Sequence, residues 1–110
     1  MYQKVTSIEE IRDAMNSHPA IIAFFSHENC SVCQVIKPEL SEKISKVYPS
    51  IHLIETDIGE NPGVAADYSV FTAPVVVLFL NGREFIRKTR NFSISEFIHA
   101  IDRPYRLMLE

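Results

Sequence analysis

Little in this chain points toward nucleic acid or a membrane. Eleven lysines and arginines stand against fourteen aspartates and glutamates, a net charge of -3. Phosphate backbones select a basic balance, so a nucleic-acid binder is disfavoured. No apolar run approaches the ~20 residues that span a bilayer. The opening Met1-Tyr2-Gln3-Lys4-Val5-Thr6 lacks the basic-then-apolar order of a signal peptide, and the chain reads as cytoplasmic. Repeats, linkers and low-complexity segments are missing as well. What is left is 110 residues with 46% hydrophobic and 23% charged content, the profile of one domain, residues 1–110, with a core of its own.

Cysteine is scarce too, and its scarcity is informative. The only two, Cys30 and Cys33, are separated by Ser31 and Val32. A disulfide framework is excluded, because a bridge across two residues closes too small a loop to stabilise much. Metal or redox chemistry remains for such a pair. A structural zinc takes four ligands. His18, His27, His52 and His99 are scattered and only His27 is near, so no metal is expected.

The placement of the pair favours redox chemistry. It follows an apolar run, Ala20-Ile21-Ile22-Ala23-Phe24-Phe25, and precedes a long helical pattern. Backbone N–H groups at a helix start are unpaired, and the peptide dipoles sum there to a partial positive charge. A thiolate is favoured in that field, so the first cysteine should be more acidic than a free thiol of pKa ~8.5.

The flanking sequence builds a platform around that junction. A brief strand is expected at Gln3 to Val5. Ser7 and Glu10 form a capping box for a helix carrying Ile8, Ile11, Ala14 and Met15, which ends at Asn16-Ser17-His18-Pro19. Ala20 to Phe25 reads as a strand buried on both faces. The next helix starts at Cys30 or Ser31, carries Val32, Val35, Ile36, Leu40, Ile44 and Val47 as its apolar stripe, and is kinked by Pro38. Ile51 to Ile58 reads as a parallel strand closing a right-handed βαβ unit.

Asn61-Pro62 suits the start of a short helix through Val64 to Tyr68, with Asn61 as its cap. Val75 to Leu80 is a strand, Asn81-Gly82 a hairpin turn, and Glu84 to Thr89 the returning strand. Ser93 and Glu96 open a last helix with Ile94, Phe97, Ile98 and Ile101 on one face. Pro104 and the tail Leu107-Met108-Leu109 have no assigned place. The fold class is α/β, a central mixed sheet of four to five strands flanked by about four helices. The cysteines sit at the carboxyl end of a central strand, the edge where open α/β sheets do their chemistry.

Taken together, these residues resemble the thioredoxin family across essentially the whole chain, most clearly from Ile21 to Ile101. The resemblance rests on Phe24-Phe25, Asn29-Cys30-Ser31-Val32-Cys33, Pro38, Asp57-Ile58-Gly59-Glu60-Asn61-Pro62-Gly63, Ala73-Pro74 and Phe79-Leu80-Asn81-Gly82. It implies a thioredoxin-like fold and a protein-disulfide oxidoreductase active in cell redox homeostasis. Cys30 resembles the exposed nucleophile and Cys33 the buried resolving cysteine. Pro74 matches the family's cis-proline, and the Ala73 backbone would hydrogen-bond an extended substrate strand, with Asn29, Ser31 and Val32 also facing substrate. The redox-active Cys30–Cys33 pair would be the only redox centre, with no other cofactor. The implied partners are protein disulfides and an upstream thiol reductase, with the protein itself a monomer.

The departures from the family pattern are concentrated at the site. Asn29 replaces the usual tryptophan, and the chain has no tryptophan at all. Ser31-Val32 replaces Gly-Pro. Phe24 stands where the family buries an aspartate, Glu55 where it places the partner lysine, and Arg90 where a glycine lines the substrate groove. A carboxylate in a covered sheet is desolvated, which disfavours its charged form. Glu55 is therefore a candidate proton acceptor for Cys33, with a solvated strand end or a salt bridge to a nearby cation as the alternatives.

His27 is an exposed loop histidine, a residue that favours the thiolate, or a metal ligand beside both cysteines. Arg83, Arg87, Lys88 and Arg90 make the last strand basic, which protects an edge or docks an acidic partner. Phe71 and Phe92 are expected to pack in the core or groove. Two other functions fit the same residues: a thioredoxin-fold binding module or thiol redox sensor with little exchange activity, and a metal-binding Cys-x-x-Cys protein.

Overall fold

The computed structural model describes residues 2–90 and 92–109. In chain order the elements are β1 (Tyr2–Lys4), α1 (Ile8–Ser17), β2 (Ala20–Ser26), α2 (Ser31–Val47), β3 (His52–Asp57), α3 (Pro62–Asp67), β4 (Val75–Leu80), β5 (Arg83–Thr89) and α4 (Ile94–Leu109). The five strands form one sheet in the order β1-β3-β2-β4-β5. β1, β3 and β2 run parallel, while β4 and β5 are antiparallel to their neighbours.

Strand periodicity divides the core into two layers, because successive side chains point to opposite faces. Ile22, Phe24, Leu53, Val76 and Leu78 pack with Cys33, Ile36, Leu40 and Ile44 of α2 and with Phe97, Ile101 and Tyr105 of α4. Ile21, Ala23, Phe25, Ile54, Val75, Val77 and Phe79 pack with α1 and α3. The thioredoxin-like arrangement expected from the sequence is present, with five strands and four helices.

Local chemistry explains most boundaries. Ser7 caps α1, its Oγ accepting the Glu10 N–H at 3.1 Å. The Glu10 carboxylate reaches back to the Thr6 hydroxyl at 2.7 Å. Such a cap contributes about 1 kcal/mol. Asn81 and Gly82 turn the β4–β5 hairpin with φ of 52° and 77°, a conformation glycine adopts freely and asparagine tolerates.

Several expectations need correction. β1 covers Tyr2–Lys4 rather than Gln3 to Val5, since Val5 N–H bonds beyond the ladder to the Glu55 carbonyl at 2.9 Å. Asn61 flanks α3 without capping it through its side chain. Its amide instead donates to the Asp57 carbonyl at 3.2 Å, tying the loop back to β3.

Val35 and Val47 are exposed, because the buried stripe of α2 follows Cys33, Ile36, Leu40 and Ile44 and leaves their side of the helix in solvent. The unplaced tail is helix: α4 runs through Pro104 to Leu109. Tyr105 holds that extension, packing edge-on against Tyr48 at 4.9 Å between centroids. The Tyr48 hydroxyl donates to Asp102 at 3.0 Å, and burial with that bond pushes its pKa up to about 12.

Two histidines that looked scattered meet at the amino-terminal end of the central strands. The His18 and His52 rings stack with centroids 3.8 Å apart, and His52 Nε2 is 2.6 Å from Gln3 Oε1. Burial and then the neighbouring His18 hold His52 below the ordinary histidine value. The folded state thus binds a proton less readily than the unfolded chain. This contribution to stability is complete above about pH 6.5 and is lost as pH falls through that unfolded value toward the depressed folded one. Thermal melts from pH 8 to 5 should show falling Tm in this window, and His52→Gln should flatten the fall. An equal slope in the variant would assign the loss to other groups.

Candidate active site

The first turn of α2, the loop before β4 and the carboxyl end of β3 meet around the two sulfurs. Cys30 is the N-cap of α2, in extended conformation, and Ser31 is the first helical residue. The two cysteines are joined in a disulfide with Cα atoms 5.3 Å apart. Cys30 Sγ also accepts the Cys33 N–H at 3.1 Å, so the sulfur itself caps the helix. No acidic residue lies in the first turn to offset the positive end of the helix dipole. Cys33 is 4% exposed, whereas Cys30 is half-buried and open on one side. This asymmetry separates an accessible sulfur from an interior one.

Cys30, Val32 and Ala73 are each partly buried against the α2–α4 core layer, and Asn29 and Ser31, which flank Cys30 in sequence, are exposed. The Ala73–Pro74 peptide is cis. The β4 ladder begins only at Val75, and among the described residues Ala73 makes no backbone bond to another loop.

Arg90 adopts φ of 58° while its N–H donates to the Pro74 carbonyl at 2.8 Å. An arginine held left-handed there costs about 1–2 kcal/mol, which explains why glycine suits the position. Phe71, expected in the core or groove, is 80% exposed on this loop. It precedes the strand and has no sheet face to turn into. Phe92 does pack, edge-on against Phe97 at 5.9 Å.

Glu55 lies on the other side of the pair. It is buried on the α2 face of β3, in register beside Phe24, and is not a solvated strand end. Its carboxylate forms an ion pair with Lys37 of α2. The salt-bridge alternative is therefore what the structure contains, and a proton-accepting role has to operate from within that pair.

Lys37 Nζ also stands 5.5 Å from the centre of the Tyr2 ring, and the Tyr2 hydroxyl donates to the Lys37 carbonyl at 2.8 Å. Burial first, and the Glu55 charge second, raise the pKa of Tyr2, keeping it a hydrogen-bond donor. A cavity of about 740 Å³ runs along this face, lined among others by Cys33, Lys37, Ser41, Ser45, Glu55 and Tyr2.

Sequence reasoning passed over Lys37 and Tyr2. Lys37 had a usable signal: it lies four residues after Cys33, and that spacing places two helical side chains on one face. Tyr2 had none. His27 is half-buried rather than exposed. Its Nδ1 accepts the Asn29 N–H at 3.3 Å, and its ring lies so close to Gly59 that a Cβ there would stand 2.9 Å from Nε2. Among the described residues no cluster of three histidines, cysteines or carboxylates is arranged to hold a metal.

A mixed five-stranded sheet with a Cys-x-x-Cys disulfide at a helix start and a cis-proline just before β4 defines a thioredoxin-fold dithiol protein. The thioredoxin family model matches residues 3–103, and the chain belongs to that family. It is 31% identical to the thioredoxin-like protein YdfQ of Bacillus subtilis over 101 residues, 92% of this chain and 89% of that one. It is 33% identical to a thioredoxin of Chlamydia trachomatis over 84 residues, 76% of this chain and 80% of the other. Among solved structures, oxidised mitochondrial thioredoxin 3 of Saccharomyces cerevisiae superposes with a TM-score of 0.80 at 22% identity. The superposition covers 91% of this chain and 92% of that one, and shows a shared fold. The family works by thiol–disulfide exchange through a cysteine pair, and this chain holds that pair.

Proposed function

We propose that this protein is a specialised reductant of protein disulfides. The observation that carries the reading is the asymmetric pair, with Cys30 accessible at the helix start and Cys33 buried behind it. Thiolate Cys30 attacks a substrate disulfide, forming a mixed disulfide and releasing one substrate thiolate. Cys33 then attacks the Cys30 sulfur, releasing the second substrate thiolate and leaving the Cys30–Cys33 disulfide. An upstream thiol reductase returns two electrons. The scarcity of other cysteines fits work in the reducing cytoplasm. Substrate lies along Ala73 and Pro74, and Asn29, Ser31, Val32 and exposed Phe71 present a surface unlike that of general family members. Insulin reduction with dithiothreitol tests the activity. A rate equal to the uncatalysed one would favour a binding module or redox sensor.

Glu55 is assigned as the proton acceptor for Cys33. Both line the same cavity, where the Glu55 carboxylate is paired with Lys37. Glu55→Gln should slow resolution of a preformed mixed disulfide on the order of 10²-fold at pH 7, the usual scale for losing a positioned base. The rate should then climb with pH as hydroxide substitutes for the base, and Glu55→Asp should restore part of it. Stopped-flow resolution kinetics between pH 6 and 9 provide the measurement. An unchanged rate and pH profile would remove Glu55 from the mechanism.

A further inference from the structure

At the end of the sheet opposite the cysteines, β5 and the last turns of α4 enclose a second groove of about 480 Å³. Its floor is apolar: Leu80, Phe85, Pro104, Leu107 and Met108. Phe85 is 54% exposed and Leu107 60%, a large apolar area to leave in water. Arg83 and Arg103 stand in the same lining, which contains no carboxylate. Among the described residues, the acids adjacent in sequence to the lining are engaged elsewhere, Glu84 with Arg87 and Asp102 with Arg106. In a protein with a net charge of -3, the described lining of this apolar slot thus carries positive charge alone.

The backbone is shaped to present this surface. Leu78 pairs with Ile86 and Phe79 with Glu84, so Phe85 is the extra residue of a β-bulge. A bulge re-aims side chains that strict alternation would send to opposite faces. Ile86 packs into the α2–α4 core layer while its neighbour Phe85 lines the groove against α4 on that same side. Without the bulge, Phe85 would turn away from Arg103 and Leu107. Edge protection needs only the charges, and leaves this aromatic unexplained.

We infer that this groove docks a segment of a partner protein presenting an apolar side chain flanked by carboxylates. The apolar side chain fills the slot against Phe85 and Leu107, and the carboxylates meet Arg83 and Arg103. Strand β2 is seven residues long, so the groove lies about 20 Å from the cysteines. Docking here leaves Cys30 free for substrate and does not depend on the exchange chemistry.

The test is a titration of isotopically labelled oxidised protein, followed by amide NMR shifts, with a capped hexapeptide of alternating glutamate and leucine. A lysine–leucine peptide of the same length is the control. Shifts are expected around Arg83, Phe85, Arg103 and Leu107 for the acidic peptide alone, weakening as salt rises. The double variant Arg83→Glu/Arg103→Glu should reduce affinity at least tenfold, and Phe85→Ser should reduce it with charge unchanged, while insulin reduction stays at its parent rate. Scattered shifts, no shifts at millimolar peptide, or equal binding of the basic peptide would overturn the inference. Self-association abolished by the arginine reversals would make the occupant a second copy of this chain, and would overturn it too.

Discussion

Cys33→Ser should turn the protein from a catalyst into a trap. The accessible sulfur of Cys30 remains, so attack on a substrate disulfide proceeds as before. The interior nucleophile that completes the exchange is gone, and the serine hydroxyl is far too basic to take its place. Mixed disulfides then persist and are visible as conjugates on non-reducing gels. Multiple-turnover insulin reduction falls by roughly 10³-fold or more, the scale seen when one member of a catalytic unit is removed. Cys30→Ser loses the same turnover but forms no conjugate, because Cys33 is only 4% exposed and substrate cannot reach it. Equal conjugate yields from both variants would reverse the assigned roles.

Phe24→Asp, which installs the family's own residue, should come close to unfolding this chain. Phe24 is fully buried between β3 and β4, with the Tyr2 ring edge-on at 5.9 Å. Removing a buried phenylalanine side chain costs about 3–5 kcal/mol. The new carboxylate would also be desolvated and would face Glu55, its neighbour in register, with like charge. A total of about 5 kcal/mol or more corresponds to a Tm drop of about 20 °C for a domain of this size.

The pH dependence has a definite sign. Burial and Glu55 would raise the folded-state pKa of the introduced aspartate above its unfolded value. The deficit therefore shrinks as pH falls from 7 toward 5, where the group is protonated in the fold. Phe24→Leu, which keeps an apolar side chain, should lose only about 1 kcal/mol. Calorimetric melts of both variants at the two pH values check this. A drop of a few degrees for the aspartate variant would mean that the site already accepts charge.

That comparison shows what could be read from the residues alone. Periodicity and capping located α1 and β4, because Ile11 and Ala14 recur at helical spacing and Val75 to Leu80 form an unbroken β-branched and apolar run. The tail beyond Pro104 stayed unplaced, because helix propensity is local. The contacts that carry α4 past it, Tyr105 on Tyr48 and Tyr48 on Asp102, join residues more than fifty positions apart. At the site, the cysteine pair and the cis-proline follow from short motifs. Glu55 was legible as an anomaly, whereas its partner Lys37 was passed over, although its spacing from Cys33 puts it on the same face of α2. Phe71 and Val35 were misjudged for one reason: hydrophobicity predicts burial only where an element has an inner face, and surfaces retain many apolar atoms.

The row Cys33, Lys37, Ser41 and Ser45 along α2 has a consequence of its own. These side chains recur every four residues and line the long cavity behind the disulfide, over about 18 Å of helix. Cys30 is not part of that lining. In the proposed mechanism electrons and protons therefore travel by different doors. Electron pairs cross where substrate docks, while the proton from Cys33 leaves through a polar corridor at the rear. A substrate can seal the front completely without stranding the proton.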